Sequence, residues 1–287
     1  MSVTSIWGQL KLAAGAGILN GLEARLAYAQ NIYFVGSNAP SFVQQQSTIA
    51  AALAALIPGD VLVLGPQEFQ EAGLVLPASA TDVTIIGMGP RGACFNEPQV
   101  TTDEGLQILA DGCAIVNVGL AKGATGDFAL SVGSNTVSPD RFRAYGCKIE
   151  GDGVAAKLWG AGDVLIDDCE FCWCGTGIQL AANGIGFNTQ IYIRRSRFHD
   201  CVDACIAHSA ASQVVNGLNL EDCSFEEDEA GTAPTDFILL SDNGNTGVIH
   251  GNRFATPTNA TGVLTIGTGI LWVANATEAG WSTARPS

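Results

Sequence analysis

A repeated six-residue pattern constrains the fold of this chain more than any other feature of its sequence. The pattern is an apolar residue, two variable positions, a small residue, one variable position and a bulky apolar residue. The bulky residues of successive copies lie 22, 27, 27 and 29 residues apart, a regularity typical of stacked structural repeats. The copies are Ala144–Ile149, Ile166–Phe171, Ile193–Phe198, Leu220–Phe225 and Ile249–Phe254, with weaker ones at Ile85–Pro90, Ile115–Leu120 and Val273–Thr277.

Short β-type segments separated by glycines at this period favour a solenoid with three short strands per turn. We therefore predict an all-β fold, a right-handed parallel β-helix. Its turns stack about 4.8 Å apart, so equivalent side chains form ladders along the axis. We expect the small position to form one interior ladder and the bulky position another, an aromatic stack. The small residues are Cys147, Cys169, Ser196, Cys223 and Asn252, and the bulky residues are Ile149, Phe171, Phe198, Phe225 and Phe254.

The outward positions of the repeat carry charges that alternate in sign from one turn to the next. Cross-strand pairs of opposite charge stabilise a sheet by about 0.2–1 kcal/mol each. The alternation therefore favours parallel turns that stack in register. The three columns are Asp167, Arg194, Glu221 and His250; Asp168, Arg195, Asp222 and Gly251; and Lys148, Glu170, Arg197, Ser224 and Arg253.

A short helix is predicted ahead of the repeats. Ser47 and Thr48 are suitable N-cap residues, and Pro58-Gly59 ends the helix. Its apolar residues recur at helical spacing, so the helix would cover the open end of the solenoid, where an edge strand is otherwise exposed. These residues are Ile49, Leu53, Leu56 and Ile57.

We predict two regions, an N-terminal arm over residues 1–45 and the β-helix with its cap helix over residues 46–287. The arm contains an amphipathic segment with nothing local to pack against, which indicates a partner surface. We interpret it as a trimer contact or an attachment to a larger assembly; packing along the solenoid is the alternative. Its apolar residues are Ile18, Leu22, Leu26 and Tyr28.

Composition excludes several classes of partner. The formal net charge is −15, from 28 acidic and 13 basic residues, and phosphate backbones and anionic lipids would repel such a chain. Nine cysteines, an odd number, do not indicate a disulfide scaffold, and we interpret them as buried, reduced residues. Lys11 and Glu23 interrupt the first apolar stretch, and no basic region precedes it, so a secretion signal is not indicated. We expect no nucleic acid or membrane partner and assembly in a cytoplasm.

Clustered acids raise the question of glycosidase chemistry, which needs two carboxyl groups a few ångströms apart. An arginine adjoins each acid in the charge columns and would lower the pKa of a carboxyl group that must act as an acid. We favour a structural ladder for these acids and expect no catalytic residue. The acids are Asp167, Asp168, Glu170, Glu221 and Asp222.

Three other motifs raise the question of a binding site. A set of cysteines and histidines invites a zinc interpretation, because the 27-residue step places Cys172 over His199 and Cys174 over Cys201. Its spacing matches no recognised zinc pattern, and an interior ladder explains it equally well, so we expect neither metal nor cofactor. The full set of cysteines and histidines is Cys169, Cys172, Cys174, His199, Cys201, Cys205 and His208.

The acidic run Glu226–Glu229 is interpreted as a solvated loop, with a calcium site as the alternative. The glycine motif Gly87–Gly92 lacks the lysine and the following helix of a phosphate-binding loop.

Both ends of the chain resemble pectin-lyase-like β-helix proteins encoded by tailed bacteriophages. The resemblance lies in Ile32–Val35, Ile49–Asp60, Gly73–Pro77, Val83–Gly92 and Gly269–Pro286. It implies a virion protein such as a tailspike, a fibre or a capsid decoration. The chain is shorter than a tailspike that carries both a head-binding domain and a glycan-degrading helix, which favours decoration.

We therefore expect a non-enzymatic virion structural protein, a homotrimer that contacts the major capsid protein or another virion protein. The alternative is a short tailspike or fibre that binds or degrades host glycan. That alternative predicts an exposed groove with aromatic rings, for which Trp159 and Trp173 are candidates. A host-derived polysaccharide lyase is disfavoured by the lack of a secretion signal.

Overall fold

The computed structural model describes a parallel β-solenoid. It covers residues 29–37, 43–71, 73–88, 105–122, 128–182, 186–208, 214–226, 236–240, 244–255, 264–266, 268–277 and 280–282. All pairs of named strands are parallel except the last, between β23 (Asn275–Thr277) and β24 (Gly280–Ser282). The predicted all-β parallel solenoid is confirmed.

One face of the solenoid is an 11-stranded sheet. Each turn contributes one strand, and equivalent residues pair directly, as Ile166 does with Ile193 and Ile193 with Leu220. Along the sheet the strands are β2 (Gln44–Gln46), β1 (Ile32–Val35), β3 (Val61–Leu64), β5 (Thr84–Gly87), β7 (Ala114–Val116), β10 (Arg143–Tyr145), β12 (Gly162–Asp167), β14 (Asn188–Arg194), β16 (Val215–Glu221), β19 (Thr246–His250) and β22 (Ile270–Val273).

Two further faces form one 13-stranded sheet, because three long strands bend and belong to both. These are β11 (Lys148–Trp159), β13 (Glu170–Ala181) and β15 (Arg197–His208). Their first halves pair with β8 (Gly119–Lys122) and β17 (Ser224–Glu226), and their second halves with β9 (Phe128–Val132) and β18 (Ile238–Leu240). The remaining strands are β4 (Leu74–Leu76), β6 (Leu106–Ile108), β20 (Arg253–Phe254), β21 (Leu264–Ile266), β23 and β24.

A column of left-handed residues makes the turn between the first and second faces. The second variable position of the repeat has φ between +46° and +69° in seven turns, from Asn117 onward. This conformation costs an ordinary L-residue about 1–2 kcal/mol, and glycine or asparagine tolerates it best. The column is Asn117, Gly146, Asp168, Arg195, Asp222, Gly251 and Ala274.

The small residue that follows each left-handed turn is buried and hydrogen-bonded along the axis. The Cys169 amide donates to Ser196 Oγ at 3.1 Å, and the Cys223 amide donates to Asn252 Oδ1 at 2.8 Å. The Asn252 amide donates to Asn275 Oδ1 at 2.9 Å. Side chains of this column thus satisfy turn amides that would otherwise be buried without a partner.

The bulky position forms a continuous aromatic stack inside the solenoid. Ring centres lie 4.8 Å apart for Phe171 and Phe198, 5.0 Å for Phe198 and Phe225, and 4.6 Å for Phe225 and Phe254. The planes of each pair lie within 8° of parallel, and Trp272 extends the file at 5.3 Å from Phe254. All four phenylalanines are fully buried.

One helix, α1 (Ile49–Ala55), packs against β1, β2 and β4. It begins as predicted, with Thr48 Oγ1 accepting a hydrogen bond from the Ala51 amide. The helix ends before Ile57, which is exposed, because Pro58 disfavours helical backbone in the residue ahead of it. In the described part of the chain, no helix is long and apolar enough to cross a membrane.

The start of the sheet and the predicted arm overlap in sequence. Both β1 and β2 pair within the first face, and the predicted boundary between residues 45 and 46 runs through β2. Pairing with β3 accounts for this, because the strand residues Ile32–Val35 are mostly buried. The residues assigned to trimer contact or attachment, Ile18, Leu22, Leu26 and Tyr28, lie outside the described residues.

Replacing Phe198 with alanine is expected to lower the free energy of unfolding by about 3–5 kcal/mol, because it opens a cavity between two stacked rings. Urea denaturation followed by circular dichroism measures the loss. Phe187→Ala is the control, since the Phe187 side chain is exposed, and it should change the midpoint little. Equal midpoints for both variants would contradict the interior stack.

Replacing Gly146 with valine tests the left-handed column. A Cβ at Gly146 meets no other atom within 4 Å, so the cost is that of the backbone alone. We expect a loss of about 1–2 kcal/mol in the free energy of unfolding for Gly146→Val. Gly146→Asn should lose less stability, because asparagine already occupies this column at position 117. The same urea titration compares them, and a valine variant as stable as wild type would refute the requirement.

Candidate functional site

The charge columns are in register, as the sequence predicted. Asp167 pairs with Arg194, Arg194 with Glu221, and Glu221 with His250 on successive strands of the first face. On the second face, Lys148 pairs with Glu170, and Glu170 with Arg197. Backbone register thus brings opposite charges onto neighbouring turns.

The ion pairs themselves do not always join register partners. Asp167 is buried and accepts hydrogen bonds from Arg194 Nη2 at 3.0 Å and from Arg195 Nε at 2.9 Å. Arg197 Nη2 donates to Glu226 at 3.0 Å, whereas Glu170 contacts His199. Arginine is long enough to reach a diagonal neighbour, so the column predicted the opposite charges but not every partner.

A polar cluster lies on the outside of the second face, where the long strands bend. Cys172 pairs in register with Glu150 of β11 on one side and His199 of β15 on the other. Glu170 lies two residues before Cys172 and therefore faces the same way. We call Glu150, Glu170, Cys172, His199 and Asp200 the bend cluster.

Short polar contacts connect the bend cluster. His199 Nε2 lies 2.9 Å from Glu170 Oε1, and His199 Nδ1 lies 2.7 Å from Asp200 Oδ2. Cys172 Sγ donates to Glu150 Oε2 at 3.6 Å. His199 is thus held between two carboxylates, which fixes the plane of its ring.

The bend itself buries the cluster. Register shifts follow Glu150 in β11 and Cys174 in β13, and Trp173 and Asp200 have φ of +48° and +53°. A left-handed conformation is unusual for a residue as bulky as tryptophan and often marks a functional position. Cys172, His199 and Asp200 are buried although they lie on the outer side of the strands.

Trp173 and Lys148 flank the bend cluster. The Trp173 side chain is 51% exposed, and its ring lies edge-on to His199 with centres 6.4 Å apart. Lys148 Nζ lies 4.7 Å from the centre of the Trp173 ring and 2.6 Å from Glu150 Oε2. The cluster thus has an aromatic side chain at its rim and one cation beside its carboxylates.

Burial and neighbouring charges shift the two titratable groups beside Glu150 in different ways. Burial raises the pKa of the Cys172 thiol, and the nearby Lys148 ammonium only partly offsets this, so Cys172 is a neutral thiol at neutral pH. Burial lowers the pKa of Lys148, but the hydrogen bond to Glu150 and the charges of Glu150 and Glu170 together outweigh it, and the pKa is raised. Cys172 is therefore not a free thiolate nucleophile.

The structure separates the predicted cysteine and histidine set into several places. Cys172 and His199 adjoin in the bend cluster, and Cys174 Sγ lies 3.3 Å from Cys201 Sγ, both in the predicted register. Cys169 belongs to the small interior column, and Cys205 and His208 lie in the second half of β15. The set therefore does not converge on a single centre.

Sequence reasoning missed two members of the bend cluster and misjudged a third. Glu150 and Asp200 were not singled out, and Glu170 was assigned to Arg197 rather than to His199. The signal was available for Glu150, which is one register step from Cys172. It was not available for Asp200, whose left-handed backbone turns its side chain out of simple strand alternation.

The other candidate residues do not join the bend cluster. Trp159 stacks with Lys157 at 4.2 Å and pairs with Ala181, eight residues beyond Trp173 along β13, so the two tryptophans do not line one groove. Glu226 accepts from Arg197, and residues 227–229 of the acidic run, like residues 89–92 of the glycine motif, lie outside the described residues.

A shallow groove of about 170 Å³ lies on the first face. Arg143, Asp163 and Glu221 line it together with Tyr192 and Arg194. Arg143 Nη2 donates to Asp163 Oδ2 at 2.8 Å, so the polar groups at one end of the groove bond to each other. The Tyr192 side chain is the exposed aromatic group of the groove.

Comparison with known proteins agrees with this architecture. A family model described as a right-handed β-helix region matches residues 73–261. The chain belongs to the right-handed β-helix family. Two solved forms of a pectin methylesterase from Aspergillus niger, one deglycosylated and one penultimately deglycosylated, resemble this β-helix protein with a TM-score of 0.54. Each is 14% identical, and the alignment covers 89% of this chain and 88% of the esterase.

Replacing Asp167 with asparagine tests the arginine pairing in this β-helix protein. The change removes the charge that binds two guanidinium groups, and we expect a loss of about 1–3 kcal/mol in the free energy of unfolding. The matched control is Glu221→Gln, whose half-exposed partner His250 lies 3.7 Å away, and it should lose less than about 1 kcal/mol. Thermal and urea midpoints of the two variants compare them directly. If both variants lose the same free energy of unfolding, the buried Asp167 pairing stabilises the protein no more than the exposed Glu221 pair does.

Proposed function

We propose that this β-helix protein is a non-enzymatic structural component of a bacteriophage virion, a homotrimeric capsid decoration protein that contacts the major capsid protein or another virion protein. The observation that carries the proposal is the engagement of the candidate catalytic acids by cations. Asp167, the buried candidate acid, is bound by two arginines, and Glu226 at the start of the acidic run is likewise bound by Arg197 and Arg253. A carboxylate held by a guanidinium group is poorly suited to act as a general acid.

The sequence supports the virion context independently. Its opening and closing segments resemble virion proteins of tailed phages. A solenoid whose turns pair along its whole length has few exposed strand edges, which suits a protein on the outside of a particle. In this proposal the chain is made and assembled in the cytoplasm of the bacterial host.

The first face supports the trimer. One outward column contains Leu165, Tyr192, Asn219, Val248 and Leu271 in register. Tyr192 is 42% exposed and Leu271 is 59% exposed, so this column presents apolar surface to solvent in the single chain. In a three-fold trimer, a second copy of the chain would cover this apolar column.

Sedimentation equilibrium tests the trimer. We expect a mass of three chains for the wild type and monomers for the Tyr192→Glu, Leu271→Glu double variant, because charges would be buried at the contact. Val202→Glu, at an exposed apolar position beyond the bend, should remain a trimer. A monomeric wild-type protein would contradict the proposal.

Immunogold electron microscopy of particles that carry the protein should label the whole capsid shell, whereas label confined to the tail would favour a spike.

A second candidate function is that of a short tailspike or fibre that binds host glycan. The observation that favours it is the exposed Trp173 ring beside Lys148 and Glu150, since sugars bind to exposed aromatic faces with polar groups nearby. The similar solved structures are named pectin methylesterases, which adds weight to a carbohydrate ligand. Binding to a glycan array that is lost in Trp173→Ala would support this function, and an array without signal would support the structural one.

A further inference from the structure

The bend cluster contains the donor set of a metal centre. The ligand atoms of Glu170, Cys172 and His199 all lie within 4.8 Å of one another. Neighbouring turns bring Cys172 and His199 together, because in-register parallel strands are about 4.8 Å apart. Glu170 joins them from the same side of β13. Three donors of different chemistry thus converge from two adjacent turns.

We propose that Glu170, Cys172 and His199 bind one zinc ion. Zinc takes sulfur, imidazole nitrogen and carboxylate oxygen in a tetrahedral arrangement, and it prefers this mixed set over the oxygen-only ligands of calcium and magnesium. Nε2 is the nitrogen that faces the other two donors, since it lies 2.9 Å from Glu170 Oε1.

Asp200 orients the histidine. Its Oδ2 lies 2.7 Å from Nδ1, so with the metal bound Nδ1 would donate its proton to Asp200 and Nε2 would face the ion. Zinc-binding histidines commonly donate their second ring nitrogen to a carboxylate in this way. The left-handed backbone of Asp200 places the carboxylate beside the ring of the preceding residue. Asp200 is therefore a positioning residue rather than a ligand.

Glu150 lies beside the three ligands and does not complete the set. Its Oε2 is 3.6 Å from Cys172 Sγ on the neighbouring turn, on the side opposite His199, and it is bonded to Lys148. Three protein ligands leave the fourth position of the tetrahedron for water. The ligands therefore come from two consecutive turns, β13 and β15. Three carboxylates gather there beside one lysine, and a divalent cation would reduce their mutual repulsion.

Zinc binding releases a proton. The Cys172 thiol loses its S–H proton to become the thiolate that the metal requires, whereas His199 binds through the lone pair of Nε2 and keeps its proton on Nδ1. The thiol proton passes to the buffer. No bond is oxidised or reduced in this exchange, so zinc is the sole reactant added.

Calorimetric titration of the untagged, chelator-treated protein with zinc sulfate tests the site. We expect one zinc ion per chain and heats that vary with the ionisation enthalpy of the buffer, because a proton is released. Cys172→Ser should weaken binding by more than about 100-fold, and Asp200→Asn by about 10–100-fold. Circular dichroism establishes that each variant is folded.

Cys169→Ser is the matched control. It removes a thiol three residues away, and Ser196 already occupies the same interior column and makes the equivalent hydrogen bond to the carbonyl two residues before it. This variant should bind zinc as wild type does. Cobalt(II) adds a spectroscopic readout: a thiolate charge-transfer band should appear in wild type and Cys169→Ser and be absent in Cys172→Ser.

Three results would overturn the proposal. The first is a wild-type protein that binds no stoichiometric zinc. The second is a Cys172→Ser variant that binds as tightly as Cys169→Ser. The third is loss of zinc in Cys201→Ser with retention in Cys172→Ser, which would locate the ion at the Cys174–Cys201 thiol pair instead. These outcomes are independent of the oligomeric state and of the position on a virion.

Discussion

The stacking of one turn directly on the next is the constraint on which the rest of this structure depends, and the corner between the first and second faces fixes it. There the chain adopts a left-handed residue followed by a small buried one. The backbone amide of the small residue points into the core. There it donates a hydrogen bond to a side chain of the next turn instead of to a neighbouring strand. Ser196 accepts this bond from Cys169, and Asn252 accepts it from Cys223. A slip of one residue between turns would break these bonds and move every phenylalanine of the stack out of the core.

Much of this could be predicted because the repeat records which residues face inward. The alternation of small and bulky residues at a constant offset indicated two ladders, and the structure stacks the rings of Phe171, Phe198 and Phe225 nearly parallel. The left-handed corner could not be predicted from residue types. Arg195 and Ala274 occupy it although both disfavour the conformation, so tertiary contacts overcome the local preference. Glycine appears there in only some turns, Gly146 and Gly251 among them.

The bend cluster was less accessible to sequence reasoning, for a physical reason. Strand alternation places Cys172 and His199 outside, where a cysteine and a histidine would be expected to contact water. The bend that follows them covers this outer surface, so both are buried and a search for inward-facing ladders passes over them. Sequence separation hides the cluster further, because Glu150 and Asp200 are 50 residues apart but only two strand spacings apart in the sheet. In a solenoid, a surface patch is formed by residues of neighbouring turns rather than by residues that are close in sequence.

An ion at the bend would act where two ladders of the solenoid are interrupted. The stability of a stacked repeat protein is close to a sum of terms from each turn and from each interface between neighbours, so one poor interface limits the whole array. The ladder between β13 and β15 is interrupted after Cys174, and the ladder between β11 and β13 after Glu150. Ligands drawn from β13 and β15 would join these two turns at the interruption, and the free energy of metal binding would then add to the stability of their interface. A structural role on a particle surface and a metal centre at the bend are therefore consistent with each other, because both depend on turns that do not separate.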